Sequence, residues 1–86
     1  MSRRLESRRE LQVTPRQGEI LEFAARGLTD KEIAANLGVA VSTVRSHLER
    51  IYRANDLRNK AAAVAAWQRY RDAQRVRREP VHRKAR

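Results

Sequence analysis

The side chains whose types and spacing could do chemistry are concentrated between residues 42 and 53. At 3.6 residues per turn, the polar members of this stretch fall on one helix face. They are Ser42, Arg45, Ser46, Glu49 and Arg53. Hydroxyl and guanidinium groups on one face can bind phosphate oxygens and base edges, although an ordinary solvated helix face would look similar.

Catalytic or metal-binding chemistry finds little support in the sequence. The chain contains no Cys, which excludes disulfides, thiolate zinc sites and a Cys nucleophile. Its two imidazoles, His47 and His82, lie far apart and have no nearby carboxylates at a ligand spacing. A chain of 86 residues also uses most of its length to form a core. We therefore expect no enzyme activity, no cofactor and no metal.

The charge balance favours a polyanionic partner. The chain carries 20 Lys and Arg against 10 Asp and Glu, a net charge of +10. Residues 69–86 alone hold eight basic and two acidic side chains, a net charge of +6. Nucleic acid is then the first expected partner, before an acidic membrane surface or an acidic protein. A basic tail of this kind either solubilises the chain or adds phosphate contacts that are independent of sequence.

Helix signals along the chain predict an all-α fold with four helices and no strands. Residues 14–17 and 29–32 have the pattern of capping boxes, in which a Thr begins the helix and Gln or Glu follows three residues later. Gly27 and Gly38 are placed to end these two helices. No apolar run is long enough to span a membrane.

A third helix is predicted at about residues 42–54, because apolar residues recur at spacings of four and three opposite the polar face. These residues are Val44, Leu48 and Ile51. Asn55 and Asp56 are expected to end this helix, since both types tolerate left-handed backbone. Asn59 can cap a fourth helix, which nothing interrupts before Pro80.

The spacing of Ala34, Gly38 and Val44 is typical of a helix-turn-helix. A small Ala lets two helices cross closely, Gly permits a positive φ in the turn, and Val fills the space between the helices. In such a motif the second helix, here the one with the polar face, enters the major groove of DNA.

Several blocks in order closely resemble the DNA-binding domain of the LuxR/NarL-type (GerE-like) regulators. The resemblance covers about residues 13–70, and its blocks are residues 14–16, 19–21, 27–34, 43–48, 57–60 and 63–64. It implies a tetrahelical helix-turn-helix domain that binds promoter DNA, commonly as a dimer that uses the last helix.

The resemblance also implies roles for matching positions. Lys31, Thr43 and His47 would lie near phosphates, Arg45 and Ser46 near base edges, and Lys60 near the DNA backbone. Other polar residues of the third helix complete the predicted DNA-binding set. The full set is Lys31, Ser42, Thr43, Arg45, Ser46, His47, Glu49, Arg50, Arg53 and Lys60.

Three departures from the family pattern have physical consequences. Ala40 stands where Ser or Thr usually caps the recognition helix. Glu49 stands where some members carry a basic residue, and its carboxylate would accept from a cytosine amino group instead. Asn55 and Asp56 replace a common Leu-Gly pair, so we expect a looser core at that corner.

The fourth helix carries an apolar stripe that predicts a weak homodimer. The proposed contact residues are Ala63, Ala66 and Tyr70, in a self-complementary patch stabilised by adjacent half-sites on DNA. Part of the same stripe must cover a core predicted to contain Ile20, Leu21, Ile33, Leu48 and Ile51. Trp67 could then be an ordinary core residue.

The expected domain plan is a flexible basic arm at 1–12, the DNA-binding domain at 13–74 and a basic tail at 75–86. The family usually has an input domain before this module, and 12 residues are too few for one. If Met1 is the natural start we expect a stand-alone regulator, which is the interpretation we favour; the alternative is a module separated from its sensor domain.

The function expected from these observations is sequence-specific transcriptional regulation, in the cytoplasm and associated with the nucleoid. The expected partners are double-stranded promoter DNA, a second copy, and another regulator or RNA polymerase, with no membrane partner. Two other functions stay open: an adapter that pairs through the fourth helix to block or recruit a regulator, and a nonspecific DNA-coating protein. A sigma-factor region-four module begins its first helix similarly, but the block at residues 56–64 fits it poorly.

Overall fold

The computed structural model describes residues 10–78, and within them the chain forms four α-helices and no strand. The helices are α1 (Pro15–Ala25), α2 (Asp30–Leu37), α3 (Val41–Asn55) and α4 (Lys60–Arg78). The all-α, tetrahelical prediction is confirmed. Predictions for residues 1–9 and 79–86, including His82 and most of the basic tail, lie outside the described residues.

Both predicted capping boxes begin their helices. The Thr14 Oγ1 accepts from the Gln17 backbone N–H at 3.1 Å, and the Gln17 side chain accepts from the Thr14 N–H at 3.1 Å. The same pair of bonds joins Thr29 and Glu32, at 3.1 and 2.9 Å. Each box satisfies two backbone donors that the first helical turn leaves without partners.

The recognition helix α3 begins differently. Ala40 occupies its N-cap position with extended backbone and makes no side-chain cap bond. The helix runs one residue further at each end than predicted and ends where Asp56 takes a left-handed φ of 55°. Asn59 then accepts from the Ala62 N–H at 2.8 Å and starts α4, as predicted.

All four helices contribute to one core. Its buried apolar residues are Ile20, Leu21, Ala24, Ile33, Ala34, Val44, Leu48, Ile51 and Ala63. The five predicted core residues are all among them. The prediction of Ala63 as a dimer contact is wrong, because this side chain is 0% exposed. It lies in the first half of α4, which packs over the core that α1 helps to form, so no second chain can reach it.

Glu22 and Trp67 fasten α1 to α4. The Trp67 Nε1–H donates to Glu22 at 2.9 Å, and Arg71 forms an ion pair with the same carboxylate at 3.1 Å. The indole ring lies over Gly18, where a Cβ would be only 3.2 Å from the Trp67 Cη2. Trp67 is therefore a partly buried packing residue, and its ring stacks on Tyr70 with centroids 5.7 Å apart.

A second long-range contact fastens the segment before α1 to the end of α3. The Gln12 N–H donates to Asn55 Oδ1 at 2.6 Å, and Asn55 Nδ2 donates to the carbonyls of Gln12 at 3.0 Å and Ile51 at 2.8 Å. Leu11 packs against the core beside this contact. The corner expected to be loose thus carries three hydrogen bonds, and the end of the expected flexible arm is attached. At the other end, α4 continues through residue 78, into the expected tail.

Candidate nucleic-acid interface

The three residues that predicted a helix-turn-helix occupy the positions their types suit. Ala34 is buried on α2, where it allows α3 to approach, and Val44 is fully buried on α3 between the two helices. Gly38 ends α2 with a left-handed φ of 70°, a backbone conformation that costs Gly little. The chain therefore turns within residues 38–40 and enters α3 at once.

The outward face of α3 is the polar face found in the sequence. Val44, Leu48 and Ile51 are buried on the inner side, whereas seven polar residues of the helix are exposed. The exposed residues are Ser42, Thr43, Arg45, Ser46, Glu49, Arg50 and Arg53. Short hydroxyl side chains lie in the first turns, which gives this half of the helix a narrow profile suited to a groove.

Charged side chains of both signs lie along this face. Arg45 is 69% exposed at its side chain and stands among the hydroxyl groups. Further along, Glu49 and Arg53 form an exposed i,i+4 ion pair at 3.8 Å. Such a pair contributes little stability in water, and both groups stay available to another partner. Arg50 adds a further exposed cation between them.

His47 lies at the edge of the polar face. The residue is half-buried, and its Nδ1 is covered without a hydrogen-bond partner within residues 10–78. Because Nδ1 is turned into the protein, a phosphate contact by this ring would have to use Nε2.

The two predicted lysines have different surroundings. Lys31 is exposed in the first turn of α2. Lys60 is two thirds covered, and its Nζ lies 2.9 Å from Asp30 Oδ1 and 3.4 Å from the Leu28 carbonyl oxygen. The Lys60 ammonium is therefore used within the domain, and its role as a DNA-backbone contact stays a prediction.

Asp30 is the residue of this site that sequence reasoning missed. Besides Lys60, its carboxylate forms an ion pair with Arg45, whose Nε lies 3.6 Å from Asp30 Oδ2. Burial raises the pKa of Tyr52, and the negative charges of Asp30 and Glu49 raise it further. The one signal in the sequence was an acidic residue at a helix start, which the helix dipole already explains.

The other two predicted dimer contacts, Ala66 and Tyr70, lie further along α4 than Ala63. Ala66 is half-buried, and the half-buried Tyr70 lines an open apolar groove of about 570 Å³ between α1 and α4. Phe23, Leu37 and Trp67 form much of its apolar wall. These side chains are accessible to a partner in part, unlike Ala63.

Two kinds of feature are absent from residues 10–78. No cluster of His, Cys, Asp or Glu within this part of the chain could hold a metal ion. None of its helices is long and apolar enough to cross a membrane.

A short α2, a glycine turn and an amphipathic α3 with a polar outer face define a helix-turn-helix domain. Residues 7–66 match the pattern of the family described as bacterial regulatory proteins, luxR family. This match covers more than half of the chain, and the chain belongs to the luxR family of bacterial regulatory proteins. The family is one of DNA-binding transcriptional regulators rather than enzymes. The predicted resemblance and the predicted function class, DNA-binding regulation of transcription, are confirmed.

Individual relatives agree with the family assignment. The chain is 45% identical over 53 residues to the quorum sensing-dependent transcriptional regulator RpaR of Rhodopseudomonas palustris, covering 62% of this chain and 22% of the relative. It is 38% identical over 56 residues to the nitrate/nitrite response regulator NarL of Escherichia coli, covering 65% of this chain and 26% of the relative. The chain thus spans about a quarter of the length of these curated relatives. No solved structure gives a significant match.

Proposed function

We propose that this domain recognises specific sequences in double-stranded promoter DNA by placing the first half of α3 in the major groove. The observation that carries the proposal is the two-sided character of α3. Its inner face is locked into the core by Val44, Leu48 and Ile51, while its outer face presents hydroxyl groups and Arg45 directly after the turn. A rigid helix with a polar, narrow leading face is what major-groove recognition requires.

The proposed roles follow from exposure and chemistry. Arg45 contacts a guanine edge with two hydrogen bonds, and Ser46 contacts an adjacent base. The groups proposed to bind phosphates or the DNA backbone are Lys31, Ser42, Thr43, His47, Arg50, Arg53 and Lys60. Glu49 accepts from a cytosine amino group, which would give this chain a preference of its own.

Selection of bound sequences from random DNA at physiological salt tests the proposal directly. A defined motif is expected, and Arg45→Ala should weaken binding to that motif by about 1–3 kcal/mol and relax preference at one base pair. Lys31→Ala should instead weaken all sequences alike and make the dependence on log salt shallower by about one. If both variants act equally on matched and mismatched duplexes, recognition by α3 is refuted and nonspecific coating is favoured.

A second copy of the chain is the protein partner that α4 supports best. Ala66 and Tyr70 stay partly exposed, and α4 extends to Arg78, past the part that covers the core. A contact of this size is small, so dimerisation should depend on adjacent half-sites.

Sedimentation with a two-half-site duplex tests this interface. Wild type should bind as two chains per duplex, and Ala66→Glu as one. Gln68→Glu is the matched control, because it adds one negative charge at an exposed position on another face of α4. Equal stoichiometry and cooperativity for wild type and Ala66→Glu would remove the interface.

The rest of the assignment follows from the DNA partner. The domain would act in the cytoplasm on the nucleoid, and another regulator or RNA polymerase would be its further protein partner. In the proposed plan, residues 13–74 form the DNA-binding domain and the basic residues at 1–12 and 75–86 add phosphate contacts. This addition rests on their charge, since a cluster of Lys and Arg raises affinity for every DNA sequence alike.

A further inference from the structure

Asp30 is the only residue among those described whose side chain forms ion pairs with both Arg45 and Lys60. It stands at the first position of α2, and its side chain is 25% exposed. Its Oδ1 lies 2.9 Å from Lys60 Nζ at the start of α4, while its Oδ2 lies 3.6 Å from Arg45 Nε on α3. The Asp30 carboxylate thus connects three helices, and both of its ion-pair partners are cations proposed to contact DNA.

The two contacts differ in strength. Lys60 donates a hydrogen bond to Asp30 and is itself fixed by the Leu28 carbonyl, so it anchors the carboxylate. The N-terminal end of α2 adds a favourable dipole for a negative group there. The longer contact with Arg45 is an ion pair without a hydrogen bond. The carboxylate therefore has a defined position, whereas the Arg45 side chain, 69% exposed, meets it through the ion pair alone.

The atom of Arg45 that meets Asp30 is also informative. The ion pair is made through Nε, and neither terminal nitrogen makes a hydrogen bond within residues 10–78. Two terminal N–H groups in a planar fork are the donors that a guanine edge accepts. The contact therefore restrains the guanidinium while it leaves those donors available.

We propose that Asp30 is a positioning residue for base recognition, which holds the Arg45 guanidinium ready for the major groove and is itself anchored by Lys60. The inference rests on the proposed role of Arg45. An unrestrained Arg side chain loses rotamer freedom when it binds a base, and a side chain already restrained loses less. Asp30 would therefore improve discrimination at the base pair that Arg45 contacts, although its negative charge weakens binding to DNA in general.

The test measures binding of Asp30→Asn to the selected duplex and to a duplex mismatched at the Arg45 base pair. The amide keeps the shape of the carboxylate and removes its charge. The ratio of matched to mismatched affinity should fall about two- to fivefold, the effect of one restrained side chain at a partly exposed pair. Affinity for mismatched DNA should rise. Glu19→Gln is the matched control, because it removes a charge from an exposed ion pair with Arg16 that touches neither Arg45 nor Lys60.

A double-mutant cycle separates this inference from the proposed function. In the Arg45→Ala background, Asp30→Asn should no longer change discrimination, because the group through which it acts is gone. If Arg45→Ala leaves discrimination intact, the proposed role of Arg45 fails. If Arg45→Ala lowers discrimination but Asp30→Asn changes matched and mismatched binding equally, the role of Asp30 is overturned and the pair is only structural.

A measurement on the free protein keeps the inference testable if Asp30→Asn is unstable. The Arg45 Nε–H cross-peak in a ¹⁵N-correlated NMR spectrum should shift in Lys60→Met, which removes the anchor but keeps Asp30. The cross-peak should also broaden, or move to the average position of several conformers, as the guanidinium is released. Glu19→Gln should leave this cross-peak unchanged. An Arg45 cross-peak that is the same in wild type and Lys60→Met would overturn the anchoring role of Lys60.

Discussion

Replacing Ala40 by Ser should stabilise the domain, because it would supply the cap that α3 lacks. The backbone of Ala40 already has the N-cap conformation, with φ −73° and ψ 153°. The caps at Thr14 and Thr29 have φ −82° and −79°, each with ψ 166°. The Thr43 N–H already donates to the Ala40 carbonyl at 3.0 Å, so a Ser hydroxyl at position 40 would share that donor or accept from the Ser42 N–H.

The expected gain follows from measured caps in other proteins. Exchanging Ala for Ser at an N-cap is worth about 0.5–2 kcal/mol, typically about 1. Ala40 is exposed, so the added hydroxyl displaces no packed neighbour and leaves no buried polar atom unsatisfied. For a domain of 60–100 residues, about 1 kcal/mol raises the melting temperature by about 4–8 °C.

Thermal unfolding followed by circular dichroism at 222 nm, with urea unfolding for the free energy, measures the effect. Ala54→Ser is the matched control, since it makes the same exchange at an exposed position inside α3 and should destabilise by a few tenths of a kcal/mol. If Ala40→Ser melts at or below the wild-type temperature, the N-cap argument for α3 is refuted.

Three further predictions concern the contact between α1 and α4, the turn before α3, and the pH dependence of stability. Glu22→Ala should cost about 1–2 kcal/mol because the Trp67 N–H loses its acceptor, whereas Glu22→Gln, which can still accept, should cost less; urea unfolding compares them. Gly38→Ala should cost about 1–2 kcal/mol from left-handed backbone alone, since no atom lies within 4 Å of its Cβ position; Gly38→Asn should cost less in the same assay. Burial raises the pKa of Tyr52, so the folded state binds this proton more tightly than the unfolded state. The contribution of this proton to the free energy of unfolding is complete below the unfolded-state pKa and is lost as pH rises through the folded-state pKa. Tyr52→Phe should lack this loss of stability at alkaline pH, as measured by unfolding curves taken across that pH range.

The features that the sequence predicted correctly depend on neighbours along the chain. Thr14 and Thr29 bind backbone groups three residues away, and the glycines that end helices act through their own φ. The inner face of α3 was found from spacing alone, because a helix turns by a fixed angle per residue. Local geometry of this kind is encoded within one or two turns.

The features that were missed or wrong depend on how helices meet. Ala63 and Ala66 lie on one stripe, yet only Ala63 is fully buried, because the neighbouring helices cover Ala63 completely and Ala66 only in part. Spacing of three and four does not distinguish a core contact from a dimer contact. Likewise, Asp30 meets Lys60 thirty residues later, a distance at which the sequence holds no local signal.

The paired hydrogen bonds between Gln12 and Asn55 have a mechanical consequence. They attach the chain just before α1 to the last turn of α3. A displacement of the chain at Gln12 is therefore transmitted directly to the C-terminal end of the recognition helix. The direction in which the chain enters the domain at Gln12 is therefore fixed relative to α3, the helix proposed to enter the major groove. Asn55→Ala would release the chain at Gln12 from α3, since the backbone N–H and C=O of Gln12 would both lose their hydrogen-bond partners.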